Sequence, residues 1–204
     1  MESLWNTTSK VSRFFACVGG ALLLLAVFIV SAEVIARKLL TLVYSGSDEL
    51  AGYLFAIGTT LSLAHVLVTR GHVRIDALYV HLASRVRALL DVLALVTLGV
   101  VAVAMLDRSF DLTFSNYVEW NRSNTPLRTP LALPQIPWLF GWLLFLFSIV
   151  VALARTVLAL TRRDYLTASQ TAGVASQDEE IEGELAGLGI GFGKNRDTTT
   201  ETRR

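Results

Sequence analysis

The stretch LVTRGHVRIDAL, residues 67–78, sets two arginines, a histidine and an aspartate between long apolar runs. Such charges either do chemistry or mark where a chain leaves a membrane and prepares to re-enter it. The surroundings decide. The chain has 204 residues, 53% of them hydrophobic and 17% charged, and a mean hydropathy of +0.53. A water-soluble domain needs more polar surface than this. The formal net charge of +1 carries no basic excess of the kind that binds nucleic acid. The lone cysteine, Cys17, lies in an apolar run and has no second thiol in the chain to pair with.

Working outward from residue 67, four apolar segments stand out, at roughly 14–38, 49–69, 86–106 and 137–160. Each is close to the ~20 residues that a helix needs to cross a bilayer core. Spanning backbone must satisfy its own hydrogen bonds, which favours helices. The first segment is long for a signal-peptide core, and no small-x-small cleavage pattern follows it, so it reads as a retained span. With the N-terminus placed inside, the inner side holds Lys10, Arg13, Arg70, Arg74, Arg85, Arg87, Arg155, Arg162 and Arg163. The outer side holds Arg37, Lys38, Arg108, Arg122 and Arg128. The excess of basic residues on one side places both termini in the cytoplasm.

The opening stretch then falls between spans two and three, on the inner face. Ile75, Leu78, Tyr79, Leu82 and Val86 follow helical spacing, with Arg74, Asp76, His81, Ser84 and Arg85 largely opposite. This is the pattern of a short helix lying in the interface. The fold class expected is therefore an all-α membrane protein, with four transmembrane helices and an interfacial helix on the cytoplasmic side. Residues 1–163 form the membrane domain. Residues 164–204, polar and locally acidic, read as a flexible cytoplasmic tail. GLGIGFGK within that tail fails as a phosphate loop, because Leu188 and Asn195 stand where glycine and a hydroxyl residue are required. The outer connection, about 107–136, and the residue that follows it carry all four prolines, Pro126, Pro130, Pro134 and Pro137. Proline stiffens its own backbone and that of its predecessor, so this loop reads as shaped rather than slack.

Charges near the spans are the functional candidates in such a chain. Glu33 and Arg37 are four residues apart in the favoured order. An ion pair near the headgroups explains them, and so does a partner contact. Asp48 and Glu49 open span two, where acids suit the helix dipole and Ser45 or Ser47 can cap. Ala51, Gly58, Ser62, His65 and Thr69 share one face of span two, and such small and hydroxylated residues favour close helix packing. Arg87 with Asp91, and Arg155, lie at inner helix ends. Three histidines, His65, His72 and His81, surround one inner turn, but only His65 is inside a span. Facing haem ligands are not in evidence, and there is no cysteine or carboxylate cluster to complete a metal site. No cofactor is expected and no catalytic constellation stands out.

Taken in order, Arg37 closing span one, Asp48–Glu49 opening span two, RGHVRIDAL at 70–78 and TPLRTPLALPQIPW at 125–138 resemble the small membrane subunit (DctQ-type) of tripartite ATP-independent periplasmic (TRAP) transporters. The resemblance covers roughly 10–163. It implies a non-enzymatic, multi-pass protein of the bacterial inner membrane. It implies as partners a large permease subunit, a periplasmic substrate-binding protein and membrane lipids, in a secondary transporter that takes up small organic anions. Arg37, Asp48, Glu49, Gly58, Ser62, His72, Arg74, Asp76, Thr125 and Pro126 are then the candidates for partner contact or structural support. Two rival readings are a membrane anchor of a redox enzyme, using His65 for haem, and a self-contained small transporter.

Overall fold

The computed structural model describes residues 1–40, 46–71, 84–162 and 171, and among them there are four helices and no strand. They are α1 (Glu2–Leu40), α2 (Ser47–Val68), α3 (Ser84–Val118) and α4 (Ala132–Thr161). All four are long and apolar enough to cross a membrane. With 39, 22, 35 and 30 residues, they measure about 58, 33, 52 and 45 Å at 1.5 Å per residue.

Helix α1 packs on α2, α2 on α4, and α4 on α3, with a smaller contact between α1 and α4. Helix α4 is thus the hub. Leu67, Leu95, Ala102, Phe145, Ile149 and Ala152 form the buried core, with Trp5, Leu98 and Trp142 packed against it. Hydroxyls buried in this packing return their protons to their own helices. Thr113 Oγ1 donates to the Ser109 carbonyl at 2.7 Å, Ser148 Oγ to that of Leu144 at 2.8 Å, and Thr156 Oγ1 to that of Ala152 at 2.8 Å. No hydroxyl proton is stranded at these three positions. Outward faces are apolar, as in Leu24, Phe28, Leu89 and Val100.

The connection between α3 and α4 is much shorter than the expected 107–136. Helix α3 runs on through Asp107, Arg108 and Asp111 to Val118. The charges are exposed, while Ser109, Thr113 and Asn116, on one face, are buried. Asn116 Nδ2 donates to Gln135 Oε1 on α4 at 2.9 Å. Helix α4 begins at Ala132, so Pro134 and Pro137 belong to it rather than to the loop. Pro134 is third in the helix, where the amide has no intrahelical acceptor anyway. Of the two serines that could cap α2, Ser45 lies outside the described residues and Ser47 does not cap it. The N-cap is Gly46, with no side-chain cap bond, and Ser47 is already helical. The interfacial helix expected within residues 70–87 lies outside the described residues over 72–83, and its last positions, Ser84 to Arg87, open α3; the tail at 164–204, apart from Thr171, lies outside the described residues.

Candidate functional site

Three constructions organise the polar and small residues. The first is at the end of the bundle that carries the α3–α4 connection. Helix α3 closes with Trp120 in the left-handed region (φ 55°) and a bond from the Asn121 amide to the Asn116 carbonyl at 3.2 Å, the Schellman arrangement. Residues 121–131 then fold back on themselves. The Ser123 amide donates to the Thr129 carbonyl and the Leu131 amide to the Asn121 carbonyl, each at 3.0 Å. Pro126 occupies the second position of the turn Thr125–Arg128, closed at 3.0 Å by the Arg128 amide, where its fixed φ suits the turn. This small hairpin is tied to α2. Thr125 Oγ1 donates to one carboxylate oxygen of Glu49, and Tyr53 donates to the other at 2.6 Å. Leu127 packs against Gly46, where a Cβ would approach its Cγ to 2.7 Å.

The second construction lies in the helix midsections. A Cβ on Gly58 would stand 2.8 Å from the Gly19 carbonyl oxygen, and one on Gly19 would stand 2.5 Å from that of Gly58 and 2.7 Å from Ser62 Oγ. On the other side of α2, a Cβ on Gly141 would meet Thr60 Oγ1 at 2.6 Å. Helix α2 is therefore held by close approach on two sides, which only glycine permits at these points.

The third construction is at the N-terminal end. Arg155 lies over the Trp5 ring, 4.8 Å from its centre, and donates to Glu2 at 3.1 Å. Its side chain is only 14% exposed. Instead of extending freely toward headgroups, Arg155 holds the first turn of α1 against α4.

Among the residues singled out from the sequence, Glu49, Thr125 and Pro126 come together in the first construction. Gly58 and Ser62 come together in the second, facing α1 of the same chain. Asp48 is exposed in the first turn of α2. Arg37 pairs with Glu33 across one turn of α1, with the carboxylate buried and the guanidinium half exposed. Asp91 is buried on α3. His65 is on α2 with Nδ1 buried and without a hydrogen bond. His72, Arg74 and Asp76 lie outside the described residues. No group of three His, Cys, Asp or Glu is placed to hold a metal among the described residues. Sequence reasoning passed over Gly19, Thr60, Gly141 and Trp5. The Gly19–Gly20 pair inside an apolar run, and a single glycine amid large residues at 141, were the available signals.

The comparisons add one finding. The family model described as "Tripartite ATP-independent periplasmic transporters, DctQ component" matches residues 26–159. This interval takes in part of α1, all of α2 and α3, the hairpin connection and nearly all of α4. The comparisons with curated proteins and with solved structures found no match.

Proposed function

The chain belongs to the DctQ family of tripartite ATP-independent periplasmic transporter components, and we propose that it is the scaffold subunit of such a system. In this reading it joins a large permease subunit that moves small organic anions, delivered by a periplasmic binding protein. Both termini lie in the cytoplasm of a bacterial inner membrane, and the hairpin at 121–131 faces the periplasm. Residues 1–163 carry this role and the tail from 164 is an appendage to it.

The observation that supports the reading most is where the polar groups go. Glu49 is spent on Thr125 and Tyr53, Glu33 on Arg37, and Arg155 on Glu2 and Trp5. Each bond stiffens or joins elements of this chain. That is what a support for a moving partner requires. Arg37, Asp48 and the surface around Thr125 and Pro126 are proposed to meet the partners, and His72, Arg74 and Asp76 to do so at the opposite end.

Purification of the tagged chain from its native membrane in a mild detergent, with mass identification of what accompanies it, tests this. A much larger polytopic membrane protein in stable ratio is expected. Recovery of the chain alone, with ion or organic-acid flux from the chain alone in liposomes, would contradict it.

A further inference from the structure

Helices α2 and α3 both pack on α4 and share no packing face of their own. The wedge between them stays open at the end that carries the hairpin. It forms a cleft of about 200 Å3, walled by Tyr53 and Ala56 of α2, Leu112 of α3, Pro134 and Trp138 of α4, and Leu131 at the close of the hairpin. The Tyr53 hydroxyl donates to Glu49, and Gln135 Oε1, also at the wall, accepts from Asn116. The walls are otherwise apolar. The volume falls below the ~300 Å3 at which sites for compact organic ligands begin, but it suits one flexible hydrocarbon chain.

The level of the cleft agrees. On α2 it begins one turn past Glu49, and on α3 it adjoins Asp111. Both are charged ends of apolar sections. Tyr and Trp gather where headgroups pass into acyl chains, and Tyr53 and Trp138 stand at this level. Beside the cleft, the charge of the hairpin is one-sided. Residues 121–131 hold Arg122 and Arg128 and no acid. Both arginines are exposed, and neither guanidinium meets an acid among the described residues. The acids next to the hairpin are engaged elsewhere, Glu49 with Thr125 and Tyr53 and Glu119 with Asn121. Arg122 is paired through its backbone with Pro130, the neighbour of Leu131, and Arg128 lies on the same return segment. Both are thus rooted at the rim of the cleft.

We infer that this end of the protein holds one anionic phospholipid, with an acyl chain in the cleft between α2 and α3 and its phosphate against Arg122 and Arg128. The arginines supply charge-assisted bonds to phosphate oxygens, and their long stems hold the charged heads at headgroup level. A free phosphate ion would use the arginines and leave the cleft empty. A zwitterionic lipid offers the arginines a phosphate already neutralised by its own ammonium. Such a site needs only that the helices span a bilayer, and it stands whichever partners the chain has.

Photolabelling of the full chain in phosphatidylcholine vesicles tests this. Two trace probes carry a diazirine in the upper half of one acyl chain, one on phosphatidylglycerol and the other on phosphatidylcholine. The phosphatidylglycerol probe should label residues 53–56, 112 and 131–138 about tenfold more than the other, and unlabelled phosphatidylglycerol should suppress it. Arg122→Gln with Arg128→Gln, at exposed positions, should bring the two probes level. Leu112→Trp, which fills the cleft, should remove labelling there by both; the arginine variant decides alone should Leu112→Trp fail to fold. Equal labelling by the two probes in the parent protein overturns the inference. So does labelling spread evenly over exposed apolar positions such as Leu24, Val100 and Phe147, or its absence from the cleft. Suppression by inorganic phosphate at the same concentration also overturns it, since the site would then be one for a free anion.

Discussion

Helices α2 and α3 are held in different ways. Helix α2, the shortest, sits between α1 and α4 and touches both through glycine, at Gly19–Gly58 and at Thr60–Gly141. Helix α3 leans on α4, with much of its circumference open, as at Leu89, Val100 and Phe114. A Cβ at its own glycine, Gly99, would meet Ile149 Cγ2 at an ordinary 3.5 Å. Helix α2 is thus specified by shape to within a methyl group. Helix α3 is specified by apolar burial and by the polar bonds of its far end. Large substitutions should therefore cost much on α2 and little on α3.

The largest effect is expected from Gly58→Leu. Its Cβ alone overlaps the Gly19 carbonyl oxygen, so α1 and α2 must separate. Overpacking typically costs about 1–3 kcal/mol, and backbone on the receiving side places this case at the upper end. Thermal unfolding in detergent should show a marked drop, with poor recovery of the complex. An unchanged melting curve would remove the distinction between the two helices. Next is Trp5→Ala, which strips the ring from Arg155 and frees the first turn of α1. A cation–π contact of this kind contributes about 0.5–2 kcal/mol. Hydrogen exchange at residues 2–9 should rise while exchange at the α1–α2 crossing stays slow.

Thr125→Val should lower the melting point by only a few degrees. It should also speed proteolysis within 121–131, because the hairpin loses its tie to Glu49 while its internal bonds remain. Equal cleavage in both proteins would mean that the tie does not hold the loop. The smallest effect is expected from Gly99→Ala, within about 0.5 kcal/mol of the parent. A drop comparable to that of Gly58→Leu would show α3 to be packed as tightly as α2.

The same contrast explains what the sequence made legible. Spans were readable because 20-residue apolar runs have few other uses. The face of Gly58 and Ser62 was readable because lipid does not call for small and hydroxylated residues. Its partner was not, since Gly19 and Gly141 become neighbours of α2 only through tertiary register. The far end of α3 was misread because Asp107, Arg108 and Asp111 look like a membrane boundary. Charge there marks the end of the apolar section and not the end of the helix, which continues because Ser109, Thr113 and Asn116 are buried. The prolines misled for a related reason. Pro134 resembles a loop residue in isolation, but as the third residue of α4 it replaces an amide with no intrahelical acceptor, whereas Pro137 lies inside the helix and removes the bond to the Leu133 carbonyl. Glu49 and Thr125 were each singled out, yet no local pattern joins positions 76 residues apart.

The proposed function rests on four crossings, with the α3–α4 connection on the face opposite the N-terminus. Impermeant maleimide labelling of single cysteines tests them most directly. Trp120→Cys and Leu4→Cys, both at well-exposed positions, are made with Cys17→Ser in cells whose outer membrane alone is permeabilised. Position 120 should label at once, and position 4 only after the inner membrane is broken. Labelling of both positions before that step would contradict the account.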